Sequence, residues 1–116
     1  MPIGPYSQAI QSGNMLFLSG QIALIPGTSD LANNTIEQET RQVMENIQGI
    51  LQEAGFTFSD VVKTTIFLTD MALFANVNEV YGGYFEEIFP ARETIAVKGL
   101  PKNVNVEISM TAIKNS

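Results

Sequence analysis

Apolar residues recur along this chain in two different periods, and the switches between them mark its elements. Residues 7–11 and 15–19 read as two short strands, and Gly13-Asn14 between them suits a tight hairpin turn. Pro26-Gly27-Thr28-Ser29-Asp30 is a loop signal. Thr35 and Gln38 then form the Thr-x-x-Gln start of a helix that runs to about residue 54 and stops at Gly55. Ile36, Val43, Ile47, Ile50, Leu51 and Ala54 give that helix one apolar face. Glu37, Arg41, Glu45 and Gln52 lie opposite, where Arg41 is spaced to pair with Glu37 and Glu45 in solvent.

Residues 60–69 form the next strand, with apolar side chains on both parities, which predicts cover on both of its faces. Asp70 is placed to cap a second helix over about 71–88, whose apolar stripe is Phe74, Val77, Tyr81, Tyr84, Phe85 and Ile88. Gly82-Gly83 inside it costs about 1 kcal/mol per glycine relative to alanine, and close backbone packing would explain the pair. Strands over 91–97 and 104–113 close the chain, joined by a loop containing Gly99-Leu100-Pro101-Lys102-Asn103. The order predicts an α+β domain with two helices on one face of a sheet. In the last strand Val104, Val106, Ile108, Met110 and Ala112 share one side, and Asn105, Glu107, Ser109 and Thr111 share the other. A sheet face left bare becomes an oligomer interface, so a homo-oligomer with clefts between subunits is expected.

With 116 residues, 45% of them hydrophobic, residues 1–116 make a single domain with a core of its own. No apolar run approaches a membrane span, and the N-terminus shows no basic stretch leading into an apolar one, so a cytoplasmic location is expected. The net charge of -6 and the scattering of six basic residues argue against a general nucleic-acid binder. Histidine and cysteine are both absent, which removes Ser-His pairs, thiolates, disulfides and soft-ligand zinc sites. Proton transfer falls to Asp, Glu, Lys, Tyr, the termini or water, and neither a metal nor a cofactor is expected.

Pro90-Ala91-Arg92 carries one of only two arginines, near the start of an otherwise apolar strand. A guanidinium there matches a carboxylate with two parallel hydrogen bonds, or pairs with a surface acid at the strand edge. Arg92 and Thr94 share one strand face, as Glu107 and Ser109 share another. If both faces meet the same layer, Arg92 holds a carboxylate and Glu107 orients or deprotonates a water; a structural ion pair between them fits the pattern equally. Asn78 is off its helix's apolar stripe, Tyr6 is a loop aromatic, Ser19-Gly20 ends a strand, and Lys63 is exposed or snorkels.

As an ordered set, these strings resemble the Rid protein family, also called the YjgF family. The resemblance rests on Ile3-Gly4-Pro5-Tyr6-Ser7-Gln8-Ala9, Ser19-Gly20-Gln21-Ile22, Asn46-Ile47, Val62-Lys63-Thr64-Thr65-Ile66-Phe67-Leu68, Phe74-Ala75-Asn76-Val77-Asn78, Pro90-Ala91-Arg92, Leu100-Pro101-Lys102 and Val106-Glu107-Ile108. It implies a chorismate-mutase-like fold with a mixed sheet, in which the last two strands flank the strand at 60–69 instead of pairing with each other. It also implies a homotrimer with sites in the clefts between subunits. The implied activity is hydrolysis of 2-enamine and 2-imine acids, such as 2-aminoacrylate and 2-iminobutanoate, to 2-oxo acids and ammonia. By resemblance Arg92 binds the substrate carboxylate, Glu107 stands near the attacking water, and Tyr6, Ser19, Asn78 and Thr94 line the pocket. Thr94 replaces a cysteine common in the deaminase subgroup, and Glu93 is a second departure, expected to face away from Arg92. Two other readings stay open: a carboxylate-binding module without turnover, and an endoribonuclease.

Overall fold

The computed structural model describes residues 6–114, so Ile3, Gly4 and Pro5 of the N-terminal string lie outside the described residues. Seven elements follow in order: β1 (Ala9–Ser12), β2 (Met15–Gln21), α1 (Ile36–Glu53), β3 (Val61–Leu68), α2 (Phe74–Gly82), β4 (Ala91–Ala96) and β5 (Val106–Ile113). Short 3-10 turns at Phe58–Asp60, Met71–Leu73 and Pro101–Asn103 lead into β3, α2 and the approach to β5. The sheet order is β1-β2-β5-β3-β4, with β4 parallel to β3 and the other neighbours antiparallel. The last two strands therefore flank β3, as the family resemblance implied. Among the described residues, no helix is long and apolar enough to cross a membrane.

Local chemistry fixes the element ends. Gly13 takes a φ of 60° in the two-residue turn that pairs Ser12 with Met15. Thr35 Oγ1 accepts from Gln38 N at 3.0 Å, while Gln38 Oε1 accepts from Asn34 N at 2.8 Å. Gly55, at φ 84°, follows the C-terminal end of α1, and Lys114 Nζ donates to its carbonyl at 2.7 Å. Asp70 does cap a helix, but the short one: its Oδ1 accepts from Ala72 N at 2.9 Å.

Both helices lie on one face of the sheet. Val106, Ile108, Met110 and Ala112 of β5 and Ile66 and Leu68 of β3 meet Met44, Ile47, Leu51, Val77 and Tyr81 there. Full burial of each aliphatic side chain in this layer contributes about 1.5–3 kcal/mol. Two expectations need correction. The second α-helix ends at Gly82 rather than near 88: two consecutive glycines remove side-chain support, and the chain turns at Gly83. Tyr84 and Phe85 still join the core, but from a turn, meeting Phe58 tilted and edge-on with ring centres 5.5 and 5.4 Å away. The strand at 61–68 is covered on only one face within the chain. On its other side Val62 is 42% exposed, beside Phe17 at 41% and Ile95 at 41%. These apolar groups mark the open sheet face.

Arg41 makes no ion pair within 4 Å among the described residues. Its two expected partners tie α1 to α2 and to the turn that follows α2 instead. Glu37 accepts from Asn76 Nδ2, and Glu45 Oε2 accepts from Tyr84 Oη at 2.8 Å.

The cap at Thr35 is a solvent-accessible interaction that can be removed alone. Thr35→Ala is expected to lower the unfolding free energy by about 1 kcal/mol, with Thr35→Ser close to wild type. Urea denaturation checks this as a lower midpoint at unchanged slope.

Candidate functional site

Arg92 is held on the helix side of the sheet edge. It pairs in register with Thr64, whose hydroxyl accepts from Tyr81 Oη at 3.0 Å under α2. Arg92 Nη1 donates to Asn78 Oδ1 at 2.6 Å, and its guanidinium carbon lies 5.6 Å from the Phe74 ring centre and 5.2 Å from that of Tyr81. Two aromatic faces and one amide thus fix a fork that remains exposed to solvent. Asn78, off the apolar stripe, is the residue that orients it.

The backbone beside Arg92 is equally directed. Val97 N donates to Leu68 O at 2.7 Å. In a parallel pair such inward bonds alternate along the strand, so the N–H groups of Arg92 and Thr94 point to the free edge of β4. Thr94 shares the Arg92 face, and its buried Oγ1 has no hydrogen-bond partner among the described residues. Glu93 faces the other way and pairs with Lys63 at 2.8 Å, which also accounts for Lys63.

Glu107 belongs to the opposite face. It pairs with Phe67 on β3, while its neighbours Val106 and Ile108 are fully buried under the helices. A Cβ built on Gly20 would stand 2.0 Å from Glu107 Oε2, so the glycine makes room for the carboxylate. Partial burial pushes the Glu107 carboxyl above the ordinary carboxylate range. It opens into a cavity of about 640 Å³ that Tyr6, Gly20, Pro26, Asn46 and Lys102 also line. Ser19 Oγ donates to the Ser7 carbonyl at 2.5 Å, which braces the segment following Tyr6 against β2. Among the described residues no three of His, Cys, Asp and Glu cluster where a metal ion could sit.

The six candidate residues therefore form two half-sites. Asn78, Arg92 and Thr94 make one; Tyr6, Ser19 and Glu107 belong to the other. The expectation that Arg92 and Glu107 meet in one layer is not met within the chain. Register decides it: Arg92 aligns with inward Thr64, and Glu107 with outward Phe67. For the same reason the structural ion pair between them does not form.

One residue escaped the sequence reading. Glu39, in the first half of α1, is 0% exposed and accepts hydrogen bonds from Asn105 and Val106 at the start of β5. Its signal was available: position 39 lies three residues after Ile36 and four before Val43, on the apolar stripe.

Comparison with known proteins agrees across the chain. The family model described as Endoribonuclease L-PSP matches residues 1–114. A RutC family protein of Pyrococcus horikoshii is 51% identical over 113 residues, covering 97% of this chain and 90% of that protein. The chloroplastic Reactive Intermediate Deaminase A of Arabidopsis thaliana is 47% identical over 110 residues, covering 95% of this chain and 59% of its own length. The crystal structure of RidA from an Antarctic Psychrobacter superposes with a TM-score of 0.94 at 38% identity, over 98% of this chain and 92% of that one.

The raised Glu107 carboxyl has a sign that stability can read. Between the ordinary and the raised value the folded chain binds the extra proton, so Glu107 lowers stability as pH climbs through that window. Glu107→Gln is expected to unfold at higher urea than wild type at pH 7. The gap should close as pH falls below about 4, where both states carry the proton. Urea midpoints across that range check it.

Proposed function

The chain belongs to the Rid protein family, and on that premise we propose that it hydrolyses 2-imino acids and their 2-enamine tautomers to 2-oxo acids and ammonia. The observation that carries this reading is the Arg92 half-site. A guanidinium braced by Asn78 and two rings, with strand N–H groups turned to the same free edge, is a receptor for a small carboxylate. The relative named Reactive Intermediate Deaminase A supports the chemistry.

The two half-sites are completed by a second copy of the chain. The open sheet face, with Phe17, Val62 and Ile95 exposed, is the surface available for that contact. We take the assembly to be a homotrimer, with the substrate in the cleft where one subunit's Arg92 approaches another's Glu107.

The reaction demands little of the protein. 2-Aminoacrylate first takes a proton at C3 to become 2-iminopropanoate; 2-iminobutanoate is already an imine. Arg92, the Thr94 N–H and Asn78 fix the carboxylate. Glu107, partly desolvated, takes a proton from water as its oxygen bonds to C2 and the C=N electron pair moves to nitrogen. The same carboxyl returns that proton to the amine; as the C–N bond breaks and ammonia leaves, Glu107 takes the proton of the C2 hydroxyl, which becomes the carbonyl, and passes it to solvent. Positioning and acid–base help of about 10²–10⁴-fold come from Glu107. Tyr6 borders the same hollow and limits the substrate's side chain, and Ser19 holds the segment after Tyr6 in place through the Ser7 carbonyl.

A carboxylate-binding module without turnover is the second reading. It is favoured by one fact: the Arg92 half-site is complete without Glu107. Endoribonuclease action, named in the family description, fits poorly with six scattered basic residues and a net charge of -6.

The test is release of ammonia and 2-oxo acid from freshly generated 2-aminoacrylate and 2-iminobutanoate, with a constant supplying dehydratase and semicarbazide as trap. Wild type is expected to accelerate release. Arg92→Ala should lower kcat/KM by about 10–10²-fold through lost charged hydrogen bonds. Glu107→Gln should lower kcat by about 10²-fold or more while sparing carboxylate binding. A folded wild type that binds small 2-oxo acids but accelerates nothing would establish the binding module instead.

A further inference from the structure

Glu39 is a carboxylate with no place in either half-site, yet it is enclosed more completely than any group in them. It is 0% exposed, and no cation lies within ion-pairing distance of it among the described residues. Its charge is met by N–H groups alone. Oε2 accepts from Asn105 N at 2.8 Å and Val106 N at 3.1 Å, and Oε1 accepts from Asn105 Nδ2 at 2.9 Å.

For packing, an apolar side chain at this point of the α1 stripe would serve as well, because desolvating a carboxylate is costly. What a carboxylate adds is direction. The N–H groups of Asn105 and Val106 turn to Glu39 just where β5 begins. The chain arrives there from Lys102 and Asn103, both at φ 56°, a left-handed conformation that asparagine tolerates and lysine rarely adopts. The turn itself is closed by Asn103 N to Leu100 O at 3.1 Å and Val104 N to Pro101 O at 3.3 Å, with an exposed bond from Lys102 Nζ to Ser29 O, and Asn105 O accepts from Thr69 N. Glu39 is thus the buried anchor at the end of a strained turn. The next residue after the anchored pair is Glu107, whose carboxylate occupies the space that a side chain at position 20 would need.

We propose that Glu39 is the positioning residue for Glu107: by gripping Asn105 and Val106 it sets the start of β5 and so the place of the Glu107 carboxylate. The inference rests on the reading of Glu107 as the group that handles water. A displacement of about 1 Å at such a group costs about 10²-fold in rate.

The grip can be broken and rebuilt without emptying the core. In Glu39→Gln the amide oxygen still accepts both backbone N–H groups, and Asn105 turns its amide over to accept from Gln Nε2. Asn105→Asp sets one carboxylate against another. Joined to Glu39→Gln, that aspartate accepts from the new amide and the contact is restored. Asn105→Asp is expected to lower kcat about 10–10²-fold with KM little changed. Glu39→Gln should stay within a few-fold of wild type, and the double variant should recover to the same range.

A second readout does not need turnover. With ¹³C-labelled glutamate, the Glu107 carboxyl titration, assigned by its loss in Glu107→Gln, should move in Asn105→Asp and return in the double variant. If Asn105→Asp melts earlier but leaves kcat and the Glu107 titration unchanged, Glu39 holds the fold and nothing more, and the proposal falls. Failure of the double variant to recover either readout also overturns it. If wild type shows no turnover, the deaminase reading fails, and the Glu107 titration alone decides whether Glu39 positions it.

Discussion

The rest of this structure depends on the antiparallel pairing of β3 with β5. Its register sets Ile66 against Ile108 and Leu68 against Val106 on one side, and Phe67 against Glu107 on the other. Because side chains alternate with a period of two, a slip of one residue would expose the core and bury the acid. The helices, the hairpin and the edge strand all take their positions from this pair. Hydrophobic burial on one face therefore also decides where the polar groups of the other face appear.

Polar groups that do enter the interior are each accounted for differently. Glu39 is enclosed and satisfied by three N–H donors. Thr40, equally buried, returns its hydroxyl to the Ile36 carbonyl at 2.8 Å. Tyr81 and Thr64 satisfy each other beneath α2. Tyr84, bonded to Glu45, is pushed up to about 12 by burial and by that carboxylate, so its hydroxyl stays a donor tying the turn after α2 to α1. Two groups differ: Thr94 Oγ1 is buried without a partner among the described residues, and Glu107 is half-enclosed with its carboxyl raised and facing a hollow.

What could be read from the sequence was local. The Thr35 cap, the Gly13 turn, the Gly55 stop and the alternation of β5 each depend on neighbours a few residues away, and each is found where expected. The length of α2 was misjudged because the apolar stripe continues past Gly82-Gly83 into Tyr84 and Phe85, which reach the core from a turn. Alternation alone gave the face of Arg92 relative to Thr94 and that of Glu107 relative to Ser109. It could not relate one strand to another, since that needs the pairing of β4 and β5 with β3. The buried carboxylate was missed for a similar reason: an acid among Glu37, Gln38 and Glu39 looks like helix-start chemistry until Asn105 is brought beside it.

The free edge of β4 has a further side. Outward N–H groups on an exposed strand are a template for any other strand, and uncovered edges of this kind drive chains to aggregate. Here Arg92 and Glu93 put charge along that edge, with Glu93 bound to Lys63. The guanidinium that would receive a ligand also keeps stray strands away while the edge is empty. The proposed recognition and the solubility would then be drawn from one side chain, so a chain altered at Arg92 has to be judged for its colloidal state as well as for its chemistry.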